Sequence, residues 1–183
     1  MKISKIAALC KKTKKIMILE QERADDDALQ WVGDGAGFYA MEGFPKIRHD
    51  SIMRLFDIDP DDESTWFIKE DKFPETYDLS IYQPDDCIAE FSMENKITMD
   101  GITFIPVKEQ GKYYFLNEKY FSPLKIEQKM QLIKRETNGI QKRPYFLLTD
   151  GMFPFACIAP GYIDISKYPW LKNIGEDYAY IQR

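Results

Sequence analysis

Trp31-Val32-Gly33-Asp34-Gly35-Ala36-Gly37-Phe38-Tyr39-Ala40-Met41 sets two apolar runs on either side of an Asp-Gly pair. Asp and Gly tolerate the positive φ that a tight turn between antiparallel strands demands, so the stretch predicts a β-hairpin. The same arrangement recurs from Ile97 to Ile105 around Asp100-Gly101 and from Tyr145 to Phe153 around Asp150-Gly151. Three such units predict a largely antiparallel sheet.

Outward from the hairpins, residues 3 to 14 fit an amphipathic helix. At about 100° per residue Ile3, Ile6, Ala7 and Cys10 share one side, with Lys5, Lys11, Lys12 and Lys15 opposite. Ile16-Met17-Ile18-Leu19 reads as a short buried strand, and the acidic run from Glu20 to Asp27 as a solvated loop. A short helix is expected from Asp50 to Phe56 with Ile52, Leu55 and Phe56 inward. A second helical region is expected from Asn117 to Arg135, divided by Pro123. Ser64–Ile68 and Tyr77–Tyr82 read as further strands, the latter from its period-two alternation.

These elements predict an α+β fold: an antiparallel sheet with helices packed on one face. Residues 1–183 are expected to form one domain of two similar halves, about 1–70 and 87–163, joined at the acidic stretch from Glu70 to Asp86. A carboxy-terminal arm, 164–183, carries Tyr168, Trp170, Tyr178 and Tyr180 without a clear period, and would pack as an arm or dock a partner.

With 44% hydrophobic and 30% charged residues the chain has the balance of a folding protein, not of a disordered one. It contains no apolar run long enough for a membrane span. The first apolar residues meet Lys11 and Lys12 too soon for a signal peptide, so a cytoplasmic location is expected. Cys10, Cys87 and Cys157 are odd in number, far apart and set among apolar neighbours, which fits reduced core thiols.

The net charge of −5 is unevenly distributed. Residues 1 to 15 hold six lysines and no acid; residues 16 to 116 hold 9 basic against 23 acidic side chains; residues 117 to 143 return to 7 basic against 3 acidic. Two basic segments, both read as helical, therefore stand in an acidic protein.

Catalytic and metal patterns fail on their geometry. Gly33-Asp34-Gly35-Ala36-Gly37 lacks the third glycine of a phosphate loop and runs into a strand. Asp57, Asp59 and Asp61 alternate as in a calcium loop, but Asp62 stands where the glycine is needed and Ile68 where the bidentate glutamate belongs. His49 is the only histidine and lies at a helix start. There is no Gly-x-Ser-x-Gly elbow and no Cys-x-x-Cys pair. No catalytic residue, metal ligand or cofactor is assigned, and an enzyme is unsupported.

The segment Lys112-Tyr113-Tyr114-Phe115-Leu116-Asn117-Glu118-Lys119-Tyr120-Phe121-Ser122-Pro123-Leu124-Lys125 resembles the strand-to-helix segment of a bacterial DNA polymerase sliding-clamp domain. Pro144 to Gly151 and Phe155 to Pro160 resemble that domain's closing hairpin. The resemblance implies basic helices facing DNA on one side of a sheet. It does not extend to ring closure, since the length suffices for one clamp domain only. Gln30 to Gly35, Phe44-Pro45 and Leu55 to Ile58 resemble small uncharacterised proteins encoded in prophages and mobile elements of Gram-positive gut bacteria.

The leading expectation is a non-enzymatic, clamp-like protein of prophage or mobile-element origin that binds DNA or replication proteins. Lys5, Lys11, Lys12, Lys15, Lys125, Lys129, Lys134 and Arg135 are the DNA-contact candidates. The alternative is a protein-interaction module using Tyr168, Trp170, Tyr178 and Tyr180. No membrane partner is expected, and homo-oligomerisation stays open.

Overall fold

In the computed structural model, which describes residues 1–23, 28–127, 129–173 and 177–178, the first element is α1, Ile3–Thr13. It buries Ile6, Leu9 and Cys10 and stops at Lys14, whose φ of 50° places it in the left-handed region. Lys11 and Lys12 in the last turn complement the negative end of the helix dipole. A second helix, α2, spans His49–Leu55. Ser51 Oγ accepts from the Arg48 N–H at 3.0 Å and donates to the Arg48 carbonyl at 2.7 Å, closing its first turn.

The strands are β1 Lys15–Gln21, β2 Leu29–Gly33, β3 Gly37–Ala40, β4 Phe67–Lys72, β5 Cys87–Phe91, β6 Ile97–Met99, β7 Ile102–Glu109, β8 Lys112–Asn117, β9 Met130–Glu136, β10 Pro144–Asp150, β11 Phe153–Ile158 and β12 Asp177–Tyr178. They form one sheet in the order β12-β8-β7-β5-β9-β10-β11-β3-β2-β1-β4, with β6 against β7. All three Asp-Gly hairpins form as expected, β2–β3, β6–β7 and β10–β11. At β6–β7, Asp100 and Gly101 both take positive φ, 49° and 73°. The fold is α+β, with a mixed sheet where an antiparallel one is expected: β1–β4 and β12–β8 are parallel pairs. The long excursion through α2 brings β4 back in the direction of β1.

Successive side chains of β10 enter different cores. Phe146 and Leu148 join Ile16, Ile18, Val32, Tyr39 and Ile158 on the face covered by α1 and α2. Tyr145 and Leu147 join Leu19, Trp31, Phe38 and Cys157 on the other. Ile105, Val107, Tyr114 and Leu116 of β7 and β8 enter the helix-side core too, with the Tyr114 and Phe146 rings 5.1 Å apart, so the sheet curls over that core.

The reverse face is closed by residues 73–86, which cross the sheet from β4 to β5. Phe73 and Leu79 are buried, and Phe73 meets Trp31, Phe38 and Tyr77 edge-on at 5.5–5.7 Å. Tyr77–Tyr82 is therefore not a strand. Its carbonyls turn to one buried side chain instead: Arg135 Nη1 donates to Asp78 O and Ser80 O at 2.9 and 3.1 Å, and Nη2 to Ile81 O at 3.2 Å.

Three further expectations are corrected. The second basic helix is absent: a four-residue 3-10 turn, Glu118–Phe121, is followed by irregular chain and then β9, so Lys134 and Arg135 lie on a strand. Of the predicted strand Ser64–Ile68, residues up to Thr65 belong to a 3-10 helix, Pro60–Thr65, capped by Asp59, and pairing begins at Phe67. Glu20 continues β1 instead of opening the acidic loop, of which residues 24–27 lie outside the described residues.

The start of the carboxy-terminal arm packs on the molecule. Ile163 and Leu171 are buried with Met99, Phe104 and Phe115 on the outer side of β7 and β8. Among the described residues no helix is long and apolar enough to cross a membrane.

Candidate functional site

Lys5 and Lys12 are seven residues apart on α1, two turns, which aligns them on one solvent face about 10 Å from each other. Both are exposed, and with Lys2 they have no ion-pair or side-chain hydrogen-bond partner among the described residues. Lys11 is engaged instead: its Nζ lies 2.8 Å from Asp57 Oδ2, and this hydrogen bond and charge hold the Asp57 carboxyl below its usual range. Lys14 donates to Thr65 Oγ1 at 3.0 Å. Lys15 starts β1, not the helix, with its Nζ 5.3 Å from the Phe67 ring centroid.

The DNA-contact candidates of the second basic segment are each paired with an acid. Lys125 pairs with Glu127 at 3.3 Å and Lys129 with Asp150 at 3.1 Å. Lys134, its side chain 15% exposed, lies 3.5 Å from the buried Glu109 and 3.2 Å from Glu136. Arg135, 8% exposed, holds Asp86 at 2.6 Å. These residues join strands to crossovers, whereas Lys5 and Lys12 on α1 have no acidic partner among the described residues.

Beside α1 opens a cleft of about 380 Å³, bounded by Lys12, the β6–β7 turn at Gly101–Thr103, Met93 and the turn after β8 from Asn117 to Lys119 with Phe121 and Ser122. Its position follows from local chemistry. Asn117 Oδ1 accepts the Lys119 N–H at 3.1 Å, turning the chain out of β8. The Lys2 N–H donates to Pro123 O at 2.8 Å, tying the start of α1 to that turn.

Lys119 connects the cleft with a buried carboxylate. Asp34 Oδ1 accepts from the Ala36 and Gly37 N–H groups at 3.0 and 3.2 Å, and Oδ2 accepts the Tyr120 hydroxyl at 3.1 Å. Lys119 Nζ stands 3.6 Å from Oδ2. Tyr39 OH donates to Tyr120 O at 2.7 Å, so the first hairpin and the turn after β8 are locked together. Burial and then the charge of Asp34 push the Tyr120 phenol well above its usual range, and the same causes take the Cys10 thiol up to about 12 against the opposing charge of Lys119. The phenol and thiol stay protonated at neutral pH, and the carboxylate is spent on hydrogen bonds. The network is a clasp, not a nucleophile with its base. Sequence reading finds Asp34 as a turn residue only; its long-range partners carry no spacing signal.

The other candidates are dispersed. Trp170 is 46% exposed and meets Tyr168 edge-on at 6.4 Å, while the Tyr178 side chain and Tyr180 lie outside the described residues. His49 Nδ1 is 2.9 Å from Glu70 at the surface. Asp59 caps the 3-10 helix through the Asp61 N–H at 3.0 Å. Cys10 and Cys157 are buried and Cys87 half-buried, all as free thiols. Among the described residues no group of three or more His, Cys, Asp or Glu side chains could hold a metal ion.

Comparison of the chain with protein-family models, curated proteins and solved structures gives no match.

Proposed function

We propose that this is a non-enzymatic protein that holds the phosphate backbone of DNA against α1 without reading base sequence. The observation that carries this reading is the set Lys2, at the start of α1, with Lys5 and Lys12 on it: three lysines without an acidic partner among the described residues, in a chain whose net charge is −5. The candidate cations Lys125, Lys129, Lys134 and Arg135 are each held by an acid, so among the candidates a polyanion finds its attractive field here. The clamp-like aspect of the proposal is supported by a basic helix seated on one face of an extended sheet. On this reading replication proteins would meet the same DNA, and the other six candidate cations stabilise the fold or flank the contact.

The test is fluorescence anisotropy with short single- and double-stranded DNA over a salt series. Three contacts give a log–log salt slope of about −2.7 on duplex, and Lys5→Glu with Lys12→Glu brings it to about −0.9. Absence of binding at low salt, or a slope unmoved by the double substitution, refutes the proposal.

A further inference from the structure

The two ends of the sheet are finished differently. At one end β12 lies beside β8, and the Gly161 N–H donates to Phe115 O at 2.7 Å, so the chain's own tail runs along that edge. At the other end β4 is the last strand. Phe67 N–H donates to Lys14 O at 2.9 Å and Phe73 N–H to Glu20 O at 2.8 Å, so the odd-numbered residues of β4 spend their main-chain groups on β1. The even-numbered ones face outward. The N–H and C=O groups of Ile68 and Glu70, with the C=O of Lys72, have no partner among the described residues, while the Lys72 N–H is held at 2.8 Å by Asp71 Oδ1. β4 has neither a proline nor a bulge, and every side chain on it except Ile68 is exposed.

An open edge of this kind templates another strand unless its side chains repel the newcomer. Phe67, Lys69 and Asp71 share the face away from the helices, in line with Met17 and Leu19 of β1. A two-fold axis perpendicular to the sheet would set β4 antiparallel to a second β4, and residues of this face would meet only residues of the same face. Centred on Lys69 or on Asp71, such a pairing puts like charges opposite each other in the closely spaced positions. Centred on Glu70, it puts Lys69 opposite Asp71 of the second copy, and the reverse. The Lys69–Asp71 pair, 2.8 Å apart within one strand, then becomes half of a ring of four alternating charges. Phe67, 52% exposed, comes beside Phe73 of the second copy. The outward donors of Ile68 and Glu70 reach Lys72 O and Glu70 O of that copy, and Asp71 releases the Lys72 N–H as it takes the new lysine. Glu70 meets its own kind only in the wider-spaced position, and His49 Nδ1, 2.9 Å away, already draws that carboxylate toward α2.

We propose that β4 is a docking edge for a second copy of this chain, the two strands joining antiparallel in the Glu70-centred register to make one continuous sheet. The proposal is independent of the reading of α1 as a DNA surface.

The full chain is followed by sedimentation velocity from about 1 μM to 1 mM, with circular dichroism to establish that each variant is folded. A monomer–dimer equilibrium is expected. Lys69→Asp, which gathers four acids around the axis, should weaken it about tenfold or more, and adding Asp71→Lys to that variant should restore it. Glu70→Gln, which removes the like-charge contact, should tighten it about two- to fivefold. Glu70→Pro takes from the main chain only an outward N–H and should leave a folded monomer. In hydrogen exchange the amides of Ile68 and Glu70 should be protected at the high end of the range and open at the low end. A folded chain that stays monomeric throughout, a dimer that Lys69→Asp and Glu70→Pro leave intact, or a dimer in which those amides stay open overturns the proposal.

Discussion

Arg135→Ala removes the side chain that binds the 73–86 crossover to the sheet, and its cost can be worked from the contacts. Arg135 Nε and Nη2 donate to Asp86 at 2.8 and 2.6 Å, and its other N–H groups serve three backbone carbonyls. Both charged side chains are 8% exposed, so the substitution leaves a buried carboxylate without its cation. Breaking such a pair costs about 3–5 kcal/mol. The lower end, about 3 kcal/mol, applies because the neighbouring Asp78 carboxylate is 45% exposed and water can reach part of the gap. At a urea slope of about 2 kcal/mol per molar, the unfolding midpoint should fall by about 1.5 M.

The pH dependence gives a second sign to check. Burial pushes the Asp86 carboxyl up, but the Arg135 hydrogen bonds, the Gln83 N–H and the Arg135 charge outweigh it and hold the group below its usual value. A folded-state value below the unfolded one contributes stability above the ordinary aspartate range, lost as pH falls through the lowered value. In Arg135→Ala the unpaired carboxyl shifts upward instead, and protonation relieves it. The two proteins should converge in stability as the pH is taken from 7 toward about 4. Urea melts at several pH values measure both effects. A loss under about 1 kcal/mol at pH 7, or a gap that does not narrow in acid, would refute the role of Arg135 in holding the 73–86 crossover to the sheet.

Gly33→Ala should prevent the first hairpin from closing, because the added Cβ would stand 1.8 Å from the Gly37 carbonyl oxygen. A loss above about 3 kcal/mol is expected in thermal melts, against about 1–2 kcal/mol for Gly101→Ala, where nothing lies within 4 Å and only the positive φ is strained. Equal losses would contradict the assigned packing. Burial takes the thiols of Cys10 and Cys157 up to about 12, so timed alkylation at mild alkaline pH, read by mass spectrometry, should modify Cys87 first and the other two only on unfolding. Fast labelling of Cys157 in the folded protein would overturn its placement in the core.

The parts of the fold legible in the sequence are those whose cause is local. Asp100-Gly101 turns because two adjacent residues accept positive φ, and α1 follows from its own apolar stripe. β9 was hidden because Gln131, Leu132, Lys134, Arg135 and Glu136 favour helix in isolation. Both of its faces are enclosed, so the alternation that marks a strand never shows: Leu132 and Ile133 are both buried, on opposite sides. Tyr77–Tyr82 errs the other way, since Leu79 faces a core while the backbone is held by Arg135 and not by a neighbouring strand. The lysines of α1 were found from charge alone, but whether a cation is free depends on acids distant in sequence, as Glu109 is from Lys134.

The pairing of β11 with β3, through Ala156–Tyr39, Cys157–Phe38 and Ile158–Gly37, also constrains the order of events during synthesis. The first hairpin leaves the ribosome well ahead of the strand that completes its inner edge, which is encoded more than 100 residues later. Until that strand emerges, Phe38 and Tyr39 lie along an open, apolar edge that invites pairing with another nascent chain. Such distant pairing slows folding. The amino-terminal half is therefore expected to depend on holding chaperones, or on slow translation, more than its short local hairpins would imply.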